Sequence, residues 1–419
     1  MIKLKIFDLC RKLSETIYDT SFLENSRKKA TAFIRRRKMP FCDIINFIIG
    51  AANRSVQAEL DEFFNKKDEG SVSRQAFSKS RENVKHEAFI YLNDILMRKF
   101  ESEDGDIATY RGYRLFGADG TIIDLPNTTQ LREHFGASSN GTDKFFAKGL
   151  AITAFDVLNK LTVFAELYRY DDSEKRRMLD IVDGFKALGC YPNSIWLLDR
   201  GYPSFELFNR FEENDQKFLV RVSSQSLKEI NDANDLDQCV SVTRKNITLK
   251  LRVVNVILPN GESEKLVTNL PDDFLVDELL VLYAKRWGIE TNYHFLKNKV
   301  VVEVFTGETV TAVLQDFHAS ILVLNMAAIA AREQEDILQN ENIHKGLKHT
   351  YHPSKSKLIA DIKRDFVKLM MIDNPLHKVF TQFVLITNIR RYAYHSIPNR
   401  KFKRCFKSRH RNAHVKSAL

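Results

Sequence analysis

The chain has 419 residues, 44% of them hydrophobic, which is material for about two or three packed domains. A net charge of +10 and a pI near 9.2 point to a polyanionic partner, although many basic proteins bind nothing acidic. Cys10, Cys42, Cys190, Cys239 and Cys405 are scattered with no C-x-x-C pair. That pattern indicates neither a disulfide framework nor a zinc site, and fits a reducing cytoplasm.

Residues 1–105 read as helical. Met1-Ile-Lys-Leu-Lys leads into no long apolar segment, so no signal peptide is expected. Phe41–Ile49 carries apolar residues at helical spacing. Ser73 stands where an N-cap is expected, before a helix whose polar face carries Arg74, Lys79, Arg81 and Lys85. That helix is either a DNA-contacting element of helix-turn-helix type or an ordinary solvated face. After a break at Glu103-Asp-Gly-Asp the pattern becomes β. Tyr113–Leu125 reads as one strand, or a strand with a turn at Asp119-Gly120. Gly149–Asp156 and Leu161–Tyr168 are two more, with a turn between them. Then come a helix from about Ser173 to Leu188, a buried strand Ser194–Asp199, a helix from about Pro203 to Glu213 and a strand Lys217–Val222. Three strands, helix, strand, helix, strand is the order of an α/β, RNase H-like core with a mixed sheet. Val240–Thr243, Ile247–Leu258 and Lys265–Asn269 alternate like strands, with Pro259–Glu262 as a hairpin turn, and form a β-rich insertion. The apolar run Ala319–Ala331, interrupted by Asn325, is too short to span a bilayer and reads as a buried core helix. Beyond about Asn340 the chain is basic and helical, and it closes on the basic tail Asn399–Arg411.

Between the insertion and the apolar run lie Tyr283, Arg286, Glu290 and Lys297, spaced Y-x2-R-x3-E-x6-K. On one continuous helix these side chains fall within about 60° of each other. Such a face offers a carboxylate flanked by an aromatic and two cations, suited to an acid that binds metal and also has to grip phosphate. Asp119, in Asp119-Gly-Thr, and Asp199, in Asp199-Arg-Gly-Tyr202, end apolar strands. A carboxylate at a strand end is most often a turn former or helix cap, so each acid alone is weak evidence. Together the three meet the needs of phosphodiester cleavage. Two Mg²⁺ ions about 3.5–4 Å apart activate a water and stabilise the leaving oxygen, and a few converging carboxylates suffice to hold them.

These motifs resemble those of bacterial DDE transposases of the insertion-sequence-four family, with its Y-R-E-K signature. The resemblance covers about residues 110–330. Asp119-Gly-Thr with Leu125-Pro126, Asp199-Arg-Gly-Tyr202, the Tyr283–Lys297 stretch, Glu303-Val-Phe-Thr-Gly307, Gln315-Asp-Phe317 and Asn325 follow one another in the family's order. It implies that Asp119, Asp199 and Glu290 bind two Mg²⁺ ions, with Mn²⁺ as a substitute. It also implies that Tyr283, Arg286 and Lys297 contact DNA phosphate near the cut end; the alternative for Arg286 and Lys297 is pairing with Glu290. The implied partners are double-stranded DNA, as element ends and target, and a second copy in a synaptic homodimer. No membrane is expected, and the location is cytoplasmic, on the nucleoid. The expected division is a helical domain at 1–105 that binds DNA ends through Arg74, Lys79 and Arg81, and a catalytic core at 106–222 and 276–340. The insertion takes 223–275, and a basic region at 341–419 serves DNA or dimer contacts. Family members that excise through a hairpin hold a flipped base with an aromatic residue of the insertion. This insertion has no tryptophan, since Trp196 and Trp287 both lie outside it. Trp287 is expected to pack in a core rather than stack on a base, and His294 to be a partly buried structural residue. The reading is a cut-and-paste transposase. The alternatives are a nuclease or resolvase using the same acids, and a non-catalytic DNA-binding derivative.

Overall fold

The structure is a computed structural model that describes residues 5–35, 37–51, 54–102, 107–139, 144–187, 191, 193–223, 226–257, 263–300, 302–346, 350–370 and 391–395. The break at Glu103-Asp-Gly-Asp, the turn Pro259–Glu262 and the basic tail from Asn399 lie outside these residues. In chain order the helices are α1 (Lys5–Ile17), α2 (Thr20–Ser26), α3 (Phe41–Gly50), α4 (Val56–Asn65), α5 (Arg74–Arg81), α6 (Glu87–Ser102), α7 (Thr129–Phe135), α8 (Glu174–Ala187), α9 (Phe205–Glu213), α10 (Lys228–Asn231), α11 (Val276–Ala284), α12 (Trp287–Phe295), α13 (Val310–His344) and α14 (Lys355–Met370). The strands are β1 (Arg114–Asp124), β2 (Ala137–Ser139), β3 (Phe145–Asp156), β4 (Leu161–Arg169), β5 (Ser194–Leu198), β6 (Lys217–Val222), β7 (Asp237–Arg244), β8 (Ile247–Ile257), β9 (Ser263–Thr268), β10 (Tyr351–His352) and β11 (Tyr394–His395).

The chain divides into two compact units. The first comprises Met1–Gly105, Ile123–Gly149 and His294–Leu419. Its central element is α13, which is apolar over most of its surface and therefore has to be covered on all sides. α1, α3, α6 and α14 cover it. Its most apolar stretch is long and apolar enough to cross a membrane, yet 83% of it is buried inside the protein, as the core-helix reading expects. Thr309 caps α13, its hydroxyl accepting from the Ala312 amide at 3.2 Å. Ser73 caps α5 in the same way through the Ala76 amide, as predicted.

The second unit comprises Asp106–Ile122 and Leu150–Tyr293. Its sheet has the order β3-β1-β5-β6-β9-β8-β7, with β4 paired to β3. β1, β5 and β6 run parallel to one another, and the pairings from β6 through β9 and β8 to β7 are antiparallel. The order of strands and helices is the predicted one for an RNase H-like fold. The strands read as an insertion continue this sheet: β9 pairs with β6 from Leu219↔Thr268 to Val222↔Lys265. Side chains alternate between faces, and each face has its own cover. Phe116, Trp196, Leu198 and Phe218 pack with residues of α8 and α9, whereas Leu115, Ile195, Leu197 and Leu219 pack with Leu279 and Leu282 of α11. Trp196 is fully buried and donates its indole N–H to Gln216 Oε1 at 2.6 Å.

The stretch carrying Tyr283, Arg286, Glu290 and Lys297 is not one straight helix. α11 ends at Ala284 and α12 begins at Trp287. Across the junction the amides of Lys285, Arg286, Gly288 and Ile289 bond to carbonyls three residues back, so the chain tightens into a turn. Leu296–Val300 then widens to a π-helical turn. The single 60° stripe therefore does not form, because the tightening and the widening each rotate the residues beyond them about the helix axis.

Candidate active site

Arg114 lies beside Ser194 in the β1–β5 register, and Gly117 beside Leu197. Asp119 and Asp199 each sit two residues beyond that last pair, on strands about 4.8 Å apart; Asp199 follows the end of β5 as expected, whereas Asp119 lies inside β1, which runs on to Asp124. Alternation puts both on the face covered by α11, at the carboxyl edge of the parallel strands, where open α/β sheets bind ligands. Glu290 comes from the first turn of α12 and is exposed. Ile289 beside it packs over Gly117. The Tyr293 hydroxyl donates to the Asp119 carbonyl oxygen and accepts from Thr153 Oγ1 at 3.0 Å, so α12 is tied to β1 and β3.

Two side chains join the acids. Tyr283 donates to Asp199 Oδ1 at 3.4 Å, and the Arg200 amide donates to the same oxygen at 2.8 Å. Arg286 donates to Glu290 Oε1 at 3.2 Å and lies 5.1 Å from the centre of the Trp287 ring. It is only 4% exposed, and its Nε has no hydrogen-bond partner among the described residues. Burial works against its charge, but Tyr283, Asp199 and Glu290 outweigh that and hold its pKa above the ordinary value.

A fourth acid belongs here that the sequence alone did not single out. Glu174 opens α8 and presses its carboxyl group against Gly120, where an added Cβ would sit 2.4 Å from Cδ. Tyr202, buried in the Asp199-Arg-Gly-Tyr202 turn, donates to Glu174 Oε2 at 3.2 Å. Burial pushes Asp119 up to about 6, with Glu174 adding the next largest effect and Asp199 a smaller one; the Gly120 amide and Arg286 oppose them. In sequence, an acid in a helix's first turn reads as an ordinary partner of the helix dipole, which hides this role. Among the described residues no three His, Cys, Asp or Glu side chains converge closely enough to enclose a metal. Glu290 is instead drawn to Arg286.

Other expected site residues take different places. Lys297 lies half-buried in the π-helical turn of the first unit. Arg74 and Lys79 are exposed on α5. Arg81 is 1% exposed and cannot reach DNA. Its guanidinium donates to Gln315 Oε1 at 2.8 Å, Thr306 Oγ1 at 2.6 Å, the Ala312 carbonyl at 3.2 Å and Asp316 Oδ1 at 2.8 Å. This network gives the Thr306-Gly307 and Gln315-Asp316 motifs a structural use: they clamp the end of α5 to the start of α13. Gly307 is required there, because a Cβ would lie 2.6 Å from that of Ala312. Trp287, expected in a core, is 53% exposed, since the tightened turn before α12 leaves its ring outside the sheet-facing side. His294 is likewise exposed rather than partly buried, and contacts Asn298.

The sequence matches the family described as Transposase DDE domain over residues 110–326, just over half of the chain and inclusive of Asp119, Asp199 and Glu290. No curated protein matches it. Among solved structures, the chain is similar to the cryo-EM structure of a piggyBac transposase synaptic complex with hairpin DNA, at 13% identity over 92% of this chain and 84% of that one, with a TM-score of 0.47. The motif order, the strand order and the family match agree: the chain belongs to the transposase DDE domain family, enzymes that cut and transfer DNA.

Proposed function

We propose that this transposase is of the insertion-sequence-four type and works by cut and paste, hydrolysing the strand at each element end and joining the freed 3′-OH to target DNA. One observation carries the reading: Asp119 and Asp199 lie just beyond the last paired residues of the neighbouring parallel strands β1 and β5, on the face that also receives Tyr283, Arg286 and Glu290. The donors are all carboxylates, which suits Mg²⁺ or Mn²⁺. The raised Asp119 pKa reflects burial first and the neighbouring Glu174 carboxylate second, an environment in which a bound cation would be welcome. Asp119, Asp199 and Glu290 would hold two such ions, which supply the charge that activates water and stabilises the leaving oxygen. The chain's own groups do the rest. Tyr283 orients Asp199 through its hydrogen bond. Arg286 keeps Nε unengaged, and a shift of Glu290 away from it frees a second donor, giving a fork that fits one phosphate. Lys297 and Lys79 add phosphate contacts, and the exposed Trp287 ring is open to an unpaired base. The working form is a homodimer on DNA in the cytoplasm.

The test is cleavage of a duplex bearing the element's terminal repeat. Asp119→Asn, Asp199→Asn and Glu290→Gln should each lower Mg²⁺-dependent cutting by more than about 100-fold. Metal-free binding of the same duplex should hold or tighten, because negative charge has been removed beside phosphate. Near-normal cutting by any one variant removes that residue from the ligand set. Nicks without a strand-joined product would reduce the activity to that of a nuclease.

A further inference from the structure

In the first unit, α5 and the loop before α3 enclose a cleft of about 1500 Å³. Small-molecule sites run to about 300–1,000 Å³, so this one is oversized for a metabolite and has room for a polymer. Its walls are basic. Arg35, Arg37 and Lys38 line one side from the loop, and Lys79 lines the other from α5. All four are exposed, and among the described residues no hydrogen bond or ion pair to another side chain engages their charged groups. The acids of the cleft, Asp43 and Glu69, are already held by Lys67, at 2.6 and 3.3 Å.

The loop is anchored. Arg27 donates to the Ala32 carbonyl at 3.0 Å, Phe33 meets Phe41 edge-on at 5.6 Å, and Met39 is buried. Phe33 has a φ of 60°, a left-handed turn that a bulky residue adopts only where packing enforces it. Four cations held on fixed walls across a polymer-sized cleft form an electrostatic funnel for a polyanion. Arg74, the exposed cation of α5 that the sequence favoured, is not among the residues lining it.

We infer that this cleft, through Arg35, Arg37, Lys38 and Lys79, is where the phosphate backbone of duplex DNA docks. This rests on the transposase reading and moves its DNA contact from the Arg74–Arg81 helix face to the cleft. The test uses full-length protein without metal and a labelled duplex of about 40 base pairs, with affinity followed by anisotropy across a salt series. Removing each cation with alanine should flatten the log–log salt slope by about one. The quadruple variant should therefore lose about four, while Arg74→Ala leaves the slope unchanged. Comparable melting curves establish that the variants are folded. A wild-type slope and affinity in the quadruple variant would overturn the proposal. So would an equal loss in Arg74→Ala, because binding would then follow diffuse charge. The readout needs no cleavage, so near-normal cutting by the carboxylate variants together with the expected cleft behaviour would sink the proposed function and leave this inference standing.

Discussion

Asp119 shows how a single residue records the state of its site. Its ordinary pKa of 3.8 is raised to about 6 in the folded chain, so the native state holds the proton more tightly than the unfolded state. The stability this contributes is full below about pH 4 and is lost as pH rises through 6. Without metal, Asp119→Asn should therefore be more stable than the parent at neutral pH, on the order of 2–3 kcal/mol, and the gap should close in acid. Denaturant melts in chelator across that range measure it; a variant less stable than the parent at neutral pH would refute the assignment. Glu174 is the second-largest cause of that shift, so Glu174→Ala should move the same curve towards that of Asp119→Asn. Gly120→Ala should do likewise, because its Cβ displaces the Glu174 carboxyl from its place beside Tyr202. The double variant should then add little to either single one.

Among the elements, α5 and α13 are joined by a buried ion pair rather than by apolar packing alone. Arg81 and Asp316 are 1% and 10% exposed at their side chains, and Thr306, Gln315 and the Ala312 carbonyl take up the remaining Arg81 donors. Removing one partner strands a buried charge, so Asp316→Ala should cost about 3–5 kcal/mol. DNA affinity per folded molecule should change little, which separates this clamp from the cleft cations. A thermal melt alongside the anisotropy assay checks both halves; an unchanged melting temperature would mean the pair is not buried in solution. α12 makes the opposite point. Its broken entry from α11 exposes Trp287 and turns Arg286 inward, an outcome that helical periodicity alone assigns the other way.

For the whole molecule, the domain limits matter to experiment. Residues 1–105 are expected from sequence to stand alone as a DNA-binding domain, but their helices share a core with α13 and α14. Ser14 donates to the Met370 carbonyl at 2.8 Å, and Asn325 to Asn93 Oδ1 at 2.8 Å. A fragment ending at residue 105 would uncover the faces of α1, α3 and α6 that pack on α13 and α14. It should melt without cooperativity and bind a hydrophobic dye. A sharp two-state melt of that fragment would show that the helices carry a core of their own. End recognition is therefore better tested in the full chain.

The strand order, the cap at Ser73, the apolar α13, and the placing of Asp199 at a strand end were legible from sequence, because each depends on neighbours within a few residues: period two, period 3.6, or a side chain reaching its own helix's amides. The expectation that Asp119 and Asp199 work with Glu290 came only through the family's motif order, and in the structure Glu290 pairs with Arg286. Packing between distant segments decided the rest. Arg81 looks like a surface cation until α13 brings Asp316 beside it, and Glu174 looks like a helix-start acid until β1 brings Gly120 against it. Trp287 looks like a core residue until the turn after α11 points it outward. A charged or aromatic side chain carries no local mark of whether it will be desolvated. That depends on which surfaces the chain buries together, and only the tertiary structure decides it.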